Sequence, residues 1–355
     1  MRILQSISLL LVLVLGACGE SAATSTPVPD KATQQIIPTQ GISTVSTISP
    51  GVKLPNQPEQ PLSGPGGSSY KYGGSVSNSY GEGASKYYIF EPTNPTPATA
   101  PVIALLHGYT DINPQSYKYW IDHLVRRGNI VIFPVYQANI LDMNGSKFTD
   151  TSLTALKAAL AQLQQNGNVK PELDKFMLVG YSAGGIIATN LAGRAASAGL
   201  PEPRALFDIT PGGCNNCGAM AIGGFPLEME ALPAIPASMK MLVLVGDRDI
   251  IVGDKPSKVI WQNTSQISSE NRDFIKVISD SHGAPPLIAD HGMTNRRTQD
   301  ALNYYGIWKL TDALQSCALY NKECDSALGN TPAQRFMGKW SDGTAVTELV
   351  VTKNP

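Results

Sequence analysis

Seven short apolar runs recur along the chain, and stretches with helical spacing separate most of them. The runs are residues 86–91 (KYYIFE), 101–107 (PVIALLH), 129–136 (NIVIFPVY), 175–181 (KFMLVGY), 204–210 (RALFDIT), 240–245 (KMLVLV) and 273–279 (DFIKVIS). Successive side chains of a strand point to opposite faces, so an unbroken apolar run such as 101–107 predicts a strand buried on both sides. Helical spacing covers residues 114–127, where Tyr117, Trp120, Ile121 and Leu124 share one stripe, and residues 151–165, with Asp150 as N-cap. It returns over residues 184–198, 255–267 and 298–319. This alternation predicts an α/β fold: a mostly parallel sheet with helices on both faces, and functional groups at the carboxyl ends of its strands.

One strand-to-helix junction carries chemistry. Gly180, Tyr181, Ser182, Ala183 and Gly184 form a G-x-S-x-G directly after the run KFMLV and at the start of a small-residue helix. That is the sequence context of a nucleophile elbow, where flanking glycines let strand and helix close around a strained turn that presents a serine. A serine hydroxyl needs a base, and the chain has four histidines. His107 ends a strand, and His123 lies within the first helix. The base is therefore His282 or His291; His282, which follows the strand 273–279 almost at once, is preferred. The acid that orients the base is expected at Asp249, in Gly246-Asp247-Arg248-Asp249 after KMLVLV, in the order Ser, Asp, His. Asp247 and Asp254 read as solvated neighbours, and Asp208 as a residue within its strand. Two backbone N–H groups should face the developing oxyanion: that of Ala183 and that of Tyr109, in the loop His107-Gly108-Tyr109-Thr110.

The amino terminus has a separate logic. Residues 3–15 are apolar but too short to span a bilayer, and Leu15, Gly16, Ala17 and Cys18 follow. This box resembles the lipobox of bacterial lipoproteins. The resemblance implies a signal peptide over residues 1–17, an acylated Cys18, export, and a membrane anchor on the cell surface or periplasmic side. Residues 18–63, rich in Pro, Ser and Thr and without apolar periodicity, read as a disordered tether, leaving residues 64–355 as one domain. Four further cysteines remain, and export permits disulfides. Of three possible pairings, the local one, Cys214–Cys217 with Cys317–Cys324, is preferred. No second CxxC or HxxxH completes a zinc site with Cys214 and Cys217. A net charge of −1 argues against electrostatic binding to nucleic acid.

Taken together, His107-Gly108-Tyr109-Thr110, the Tyr119-Trp120 pair, the G-x-S-x-G motif, the G-D-R-D turn and Ser281-His282-Gly283-Ala284-Pro285 resemble the α/β-hydrolase family. The likeness is to its dienelactone-hydrolase and bacterial cutinase, or polyester-hydrolase, branch, over residues 87–282. It implies an α/β-hydrolase fold, with Ser182 as nucleophile, Asp249 as acid, His282 as base, and Tyr109 and Ala183 as oxyanion donors. The aromatic residue that cutinases carry after the sixth strand is absent here. The Gly-, Met- and Ala-rich segment 212–239 suggests a short cap pinned by Cys214–Cys217, with Met220, Phe225 and Met229 lining an acyl pocket. The expectation is a monomeric serine ester hydrolase that needs no cofactor or metal and takes a small or polymeric ester. A peptidase or amidase on the same scaffold, and an inactive surface-binding protein, are the alternatives.

Overall fold

The computed structural model describes residues 53–355 apart from 166, 218–226, 231 and 297. The expected signal peptide, Cys18 and most of the tether lie outside the described residues. Among the described residues nine strands form one sheet, in the order β1-β2-β4-β3-β5-β6-β7-β8-β9. They are β1 (Gly74–Tyr80), β2 (Tyr87–Thr93), β3 (Thr99–Leu106), β4 (Ile130–Pro134), β5 (Lys170–Tyr181), β6 (Pro203–Ile209), β7 (Lys240–Gly246), β8 (Arg272–Val277) and β9 (Val350–Thr352). The six from β3 to β8 run parallel, while β1, β2 and β9 pair antiparallel at the edges.

The unbroken apolar runs are the central strands. In β3, Val102, Ala104 and Leu106 enter one core and Ile103 and Leu105 the other, all fully buried. The first core also takes α2 (Phe148–Leu163), α3 (Ala183–Ala198) and α4 (Lys255–Gln262); the second takes α1 (Lys118–Arg126) and α5 (Lys309–Tyr320). Helices thus cover both faces, as the alternation requires.

Several boundaries differ from expectation. Asp150 is not the N-cap of α2: the helix begins at Phe148, and Asp150 sits in its first turn, where its carboxylate meets Arg194. The segment expected as a helix over 255–267 stops at Gln262, and Thr264 is buried with its hydroxyl on the last turn of α4. The final long helix opens as a π-helical stretch, Leu302–Trp308, before α5. Residues expected to end the tether pack against the body instead. Ala284 N–H donates to Pro55 O at 2.9 Å, Asn56 N–H to Ser341 Oγ at 2.9 Å, Ser341 N–H to Asn56 O at 3.0 Å and Gln57 Nε2 to Pro285 O at 2.8 Å. The tail crosses the second core, where Trp340, Val346 and Leu349 are buried, and ends as β9. Both local disulfides are formed, Cys214–Cys217 and Cys317–Cys324. Among the described residues no helix is long and apolar enough to cross a membrane.

Candidate active site

Ser182 stands between β5 and α3 with φ +55° and ψ −123°, a left-handed conformation that a non-glycine residue holds only at a cost. Its neighbours make the turn possible. A Cβ on Gly180 would lie 2.2 Å from Gly184 O, and one on Gly184 would lie 2.2 Å from Leu106 O. Both positions need glycine because backbone from another element fills the space a side chain would occupy. The strain is held by Ser182 N–H donating to Ile209 O at 3.0 Å and Gly212 N–H donating to Ser182 O at 3.1 Å.

The histidine at this serine is His291. Its Nε2 lies 2.9 Å from Ser182 Oγ and its Nδ1 2.8 Å from Asp249 Oδ2. Asp249 is where it was expected, after β7; its side chain is fully buried, and its other oxygen accepts from the N–H groups of Ile251 (2.9 Å) and Val252 (3.1 Å). His282, the preferred base on sequence, is elsewhere. After β8 the chain makes a hairpin excursion, closed by Asp280 and Leu287 exchanging both backbone hydrogen bonds at 2.8 Å. His282 sits on that excursion, with Nε2 2.8 Å from Asp342 and its ring beside Trp340. Burial pushes the Asp280 carboxyl up, but hydrogen bonds from His282 N–H, Thr347 N–H and the Trp340 and Thr347 side chains outweigh it and hold the group below its usual range. Only past the hairpin does the chain return to the top of the sheet, at His291. The short 3-10 turn His291–Thr294 is fixed by Tyr181 OH donating to His291 O at 2.9 Å and by Arg296, which reaches Ile288 O and Asp290. Burial, then the negative charges of Asp111, Asp249 and Asp290, push the Tyr181 phenol up, so it stays a donor.

The remaining histidines are buried core residues. Burial pushes His107 down to about 4, so it is neutral; Nδ1 bonds Gly108 O at 2.7 Å and the ring stacks on Tyr136. His123 Nε2 lies 3.0 Å from the buried Asp312. Asp208 is buried in β6 on Thr189, and burial pushes its carboxyl well up.

The loop carrying Tyr109 is held by residues that pattern reading passed over. A Cβ on Gly108 would touch the Tyr181 ring at 2.8 Å, so glycine lets the loop pass close to the elbow. Tyr117 OH accepts from Gly108 N–H at 3.0 Å, Tyr136 OH donates to His107 O at 2.7 Å, and Gln137 accepts from Thr110 N–H at 2.8 Å. Tyr117 had been legible only as a core position on its helical stripe. Tyr109 and Ala183 both line the cavity at Ser182, and the Ala183 N–H opens α3, where no carbonyl within the helix can accept it.

That cavity encloses about 510 Å³; besides Ser182 and His291, its walls include Tyr109, Tyr181, Gly213, Ile251 and Val252. The expected cap is placed only in part. Gly213 forms wall beside Cys214, but Cys214, Cys217 and Met229 are buried in the core against α3 rather than facing the cavity, because Asn216 pins Met229 inward through two backbone hydrogen bonds of 2.8 Å. Gly218, Met220 and Phe225 lie outside the described residues. No cluster of three or more His, Cys, Asp or Glu that could hold a metal is present among the described residues.

The parallel sheet flanked by helices and the elbow at the carboxyl end of β5 define an α/β-hydrolase fold. Residues 76–221 match the family model described as Chlorophyllase, a family of serine esterases of this fold, which supports placing the chain in the α/β-hydrolase superfamily and reading it as a hydrolase of the serine-esterase type. The matched segment contains Tyr109, Ser182 and Ala183 but stops before Asp249 and His291. A comparison with curated proteins finds no match.

Proposed function

We propose that this protein is a carboxylic ester hydrolase working through an acyl-enzyme, with Ser182 as nucleophile, His291 as general base and acid, and Asp249 as the group that orients His291. The observation that carries the reading is the unbroken chain from Ser182 Oγ through the His291 ring to a buried carboxylate, 2.9 and 2.8 Å in its two links. His291 takes the Ser182 proton as the oxygen attacks the ester carbonyl, then gives it to the departing alcohol; water repeats the steps to free the acid. The Tyr109 and Ala183 N–H groups would face the oxyanion. The cavity is walled by Tyr109, Ile251 and Val252, which suits an apolar acyl group of modest length. The likeness of the elbow and the H-G-Y-T loop to dienelactone hydrolases and bacterial cutinases supports placement near that branch.

The test is hydrolysis of p-nitrophenyl esters of rising chain length. Ser182→Ala and His291→Ala should each lose about 10³-fold or more in kcat, and His282→Ala should keep wild-type rates. Full activity in His291→Ala would refute the assignment. We also propose that the enzyme works at a membrane surface, held by lipid on Cys18; Cys18→Ser should move it from the membrane fraction to the soluble one, and an unchanged distribution would remove the anchor.

A further inference from the structure

Asp111 follows the H-G-Y-T loop and lines the cavity at Ser182. Two groups donate hydrogen bonds to its carboxylate, both onto Oδ2: Tyr117 OH at 2.9 Å and Asn295 Nδ2 at 2.6 Å. Tyr117 OH in turn accepts from Gly108 N–H. Asn295 stands four residues beyond His291 and closes its 3-10 turn. One carboxylate oxygen is thus the joint between the loop that carries Tyr109 and the turn that carries His291. No sequence motif pointed to it.

The charge at this joint has no cation of its own. Among the described residues no Lys or Arg forms an ion pair with Asp111. Burial dominates and pushes its carboxyl up, and Tyr117, Asn295 and the positive form of His291 offset only part of that. Two donors on one oxygen suit the carboxylate rather than the acid, which would bring a third hydrogen to the same place. Around His291, the other charged groups are spoken for. Asp249 is its hydrogen-bond partner, Asp290 is paired with Arg296 at 2.7 Å, and Tyr181 keeps its proton.

We propose that Asp111 is a positioning residue for the ester hydrolysis proposed above: through Asn295 and Tyr117 it locks the His291 turn to the oxyanion loop, and it sets a second negative charge facing the imidazolium that forms on His291. The proton still travels from Ser182 Oγ to His291 Nε2 and on to the leaving alcohol, and none passes to Asp111. Its action is on geometry and field. A fixed, half-buried carboxylate favours the charged ring more than solvent would.

Two variants separate the joint from the charge. Asp111→Asn keeps the shape and an acceptor oxygen but removes the charge; Asn295→Ala breaks the joint and leaves the charge. With the full chain and one p-nitrophenyl ester, Asp111→Asn should lower kcat about tenfold with KM within about twofold. It should also move the acid limb of the kcat/KM profile down by at least about 0.5 pH unit, because an imidazolium without a negative neighbour releases its proton at lower pH. Asn295→Ala should lower kcat and leave the limb in place. A limb unmoved in Asp111→Asn overturns the charge role, and wild-type kcat in Asn295→Ala overturns the joint. Should Asp111→Asn not melt cooperatively, Asp111→Ser carries the same measurement. A wild-type chain inactive on every ester, or an active Ser182→Ala, would instead overturn the reading on which this rests, and this proposal with it.

Discussion

Gly184 has no room for one further carbon. A methyl there would sit 2.2 Å from Leu106 O and 2.5 Å from His107 O, both backbone atoms that cannot rotate away. Gly184→Ala must therefore push α3 off β3, and we expect a loss of at least about 3 kcal/mol in urea unfolding together with loss of esterase activity. A variant with wild-type stability would mean that the elbow is looser than these distances say. Positions fixed by such local geometry were legible: the glycines, Ser182 at the elbow, and Asp249 after its strand. The histidine that meets Ser182 was not, because its place depends on where the chain returns to the sheet. His282 comes first along the chain, but the Asp280–Leu287 hairpin carries it away to Asp342 and Trp340. A strand-end rule counts residues and cannot see an excursion. Asp111, Tyr117 and Asn295 were missed for a related reason: their role lies in contacts between segments 6 to 184 residues apart.

At the scale of elements, periodicity carried the core strands because both faces of each are apolar, and it failed where burial is one-sided or slight. β1 is polar and largely exposed, and β9 has three residues, so neither leaves a pattern; each exists because a neighbouring strand offers an unpaired edge. The Cys214–Cys217 loop shows the opposite case, a pairing legible from spacing whose setting was not. Both sulfurs are fully buried in the core that packs on α3. The disulfide is thus a core element as well as a brace for Gly213 at the cavity. Replacing both cysteines with alanine should cost about 2 kcal/mol from chain entropy and more from lost packing, read as a lower urea midpoint. A short cap above the pocket, as the segment 212–239 suggested, would instead change kinetics more than stability. A double variant as stable as wild type with altered chain-length preference would restore the cap.

For the whole molecule, the C-terminal tail is fastened through the buried amine of Lys309. Lys309 Nζ donates to Gln334 O at 2.8 Å, Phe336 O at 2.6 Å and Ala333 O at 3.3 Å, and burial pushes its ammonium down to about 7. Between about pH 7 and its ordinary 10.5 the folded chain then holds fewer protons at this site than the unfolded one. Stability should rise with pH across that window, by up to about 1.4 kcal/mol per unit, and the penalty is complete below it. Thermal melts at pH 7 and pH 9 should show wild type gaining on Lys309→Met; parallel shifts would show that Lys309 does not titrate there. The tail it fastens also meets the segment where the described chain begins, since Asn56 exchanges two hydrogen bonds with Ser341 while Pro55 and Gln57 bond the hairpin at Ala284 and Pro285. A pull on residue 53 would be resisted first at those four bonds rather than at any strand of the sheet. The hairpin they grip closes at Leu287, four residues before His291. Tension at residue 53 is therefore delivered close to His291, so if the enzyme were held by its amino terminus, as proposed above, drag would register as a change in turnover before it registered as unfolding.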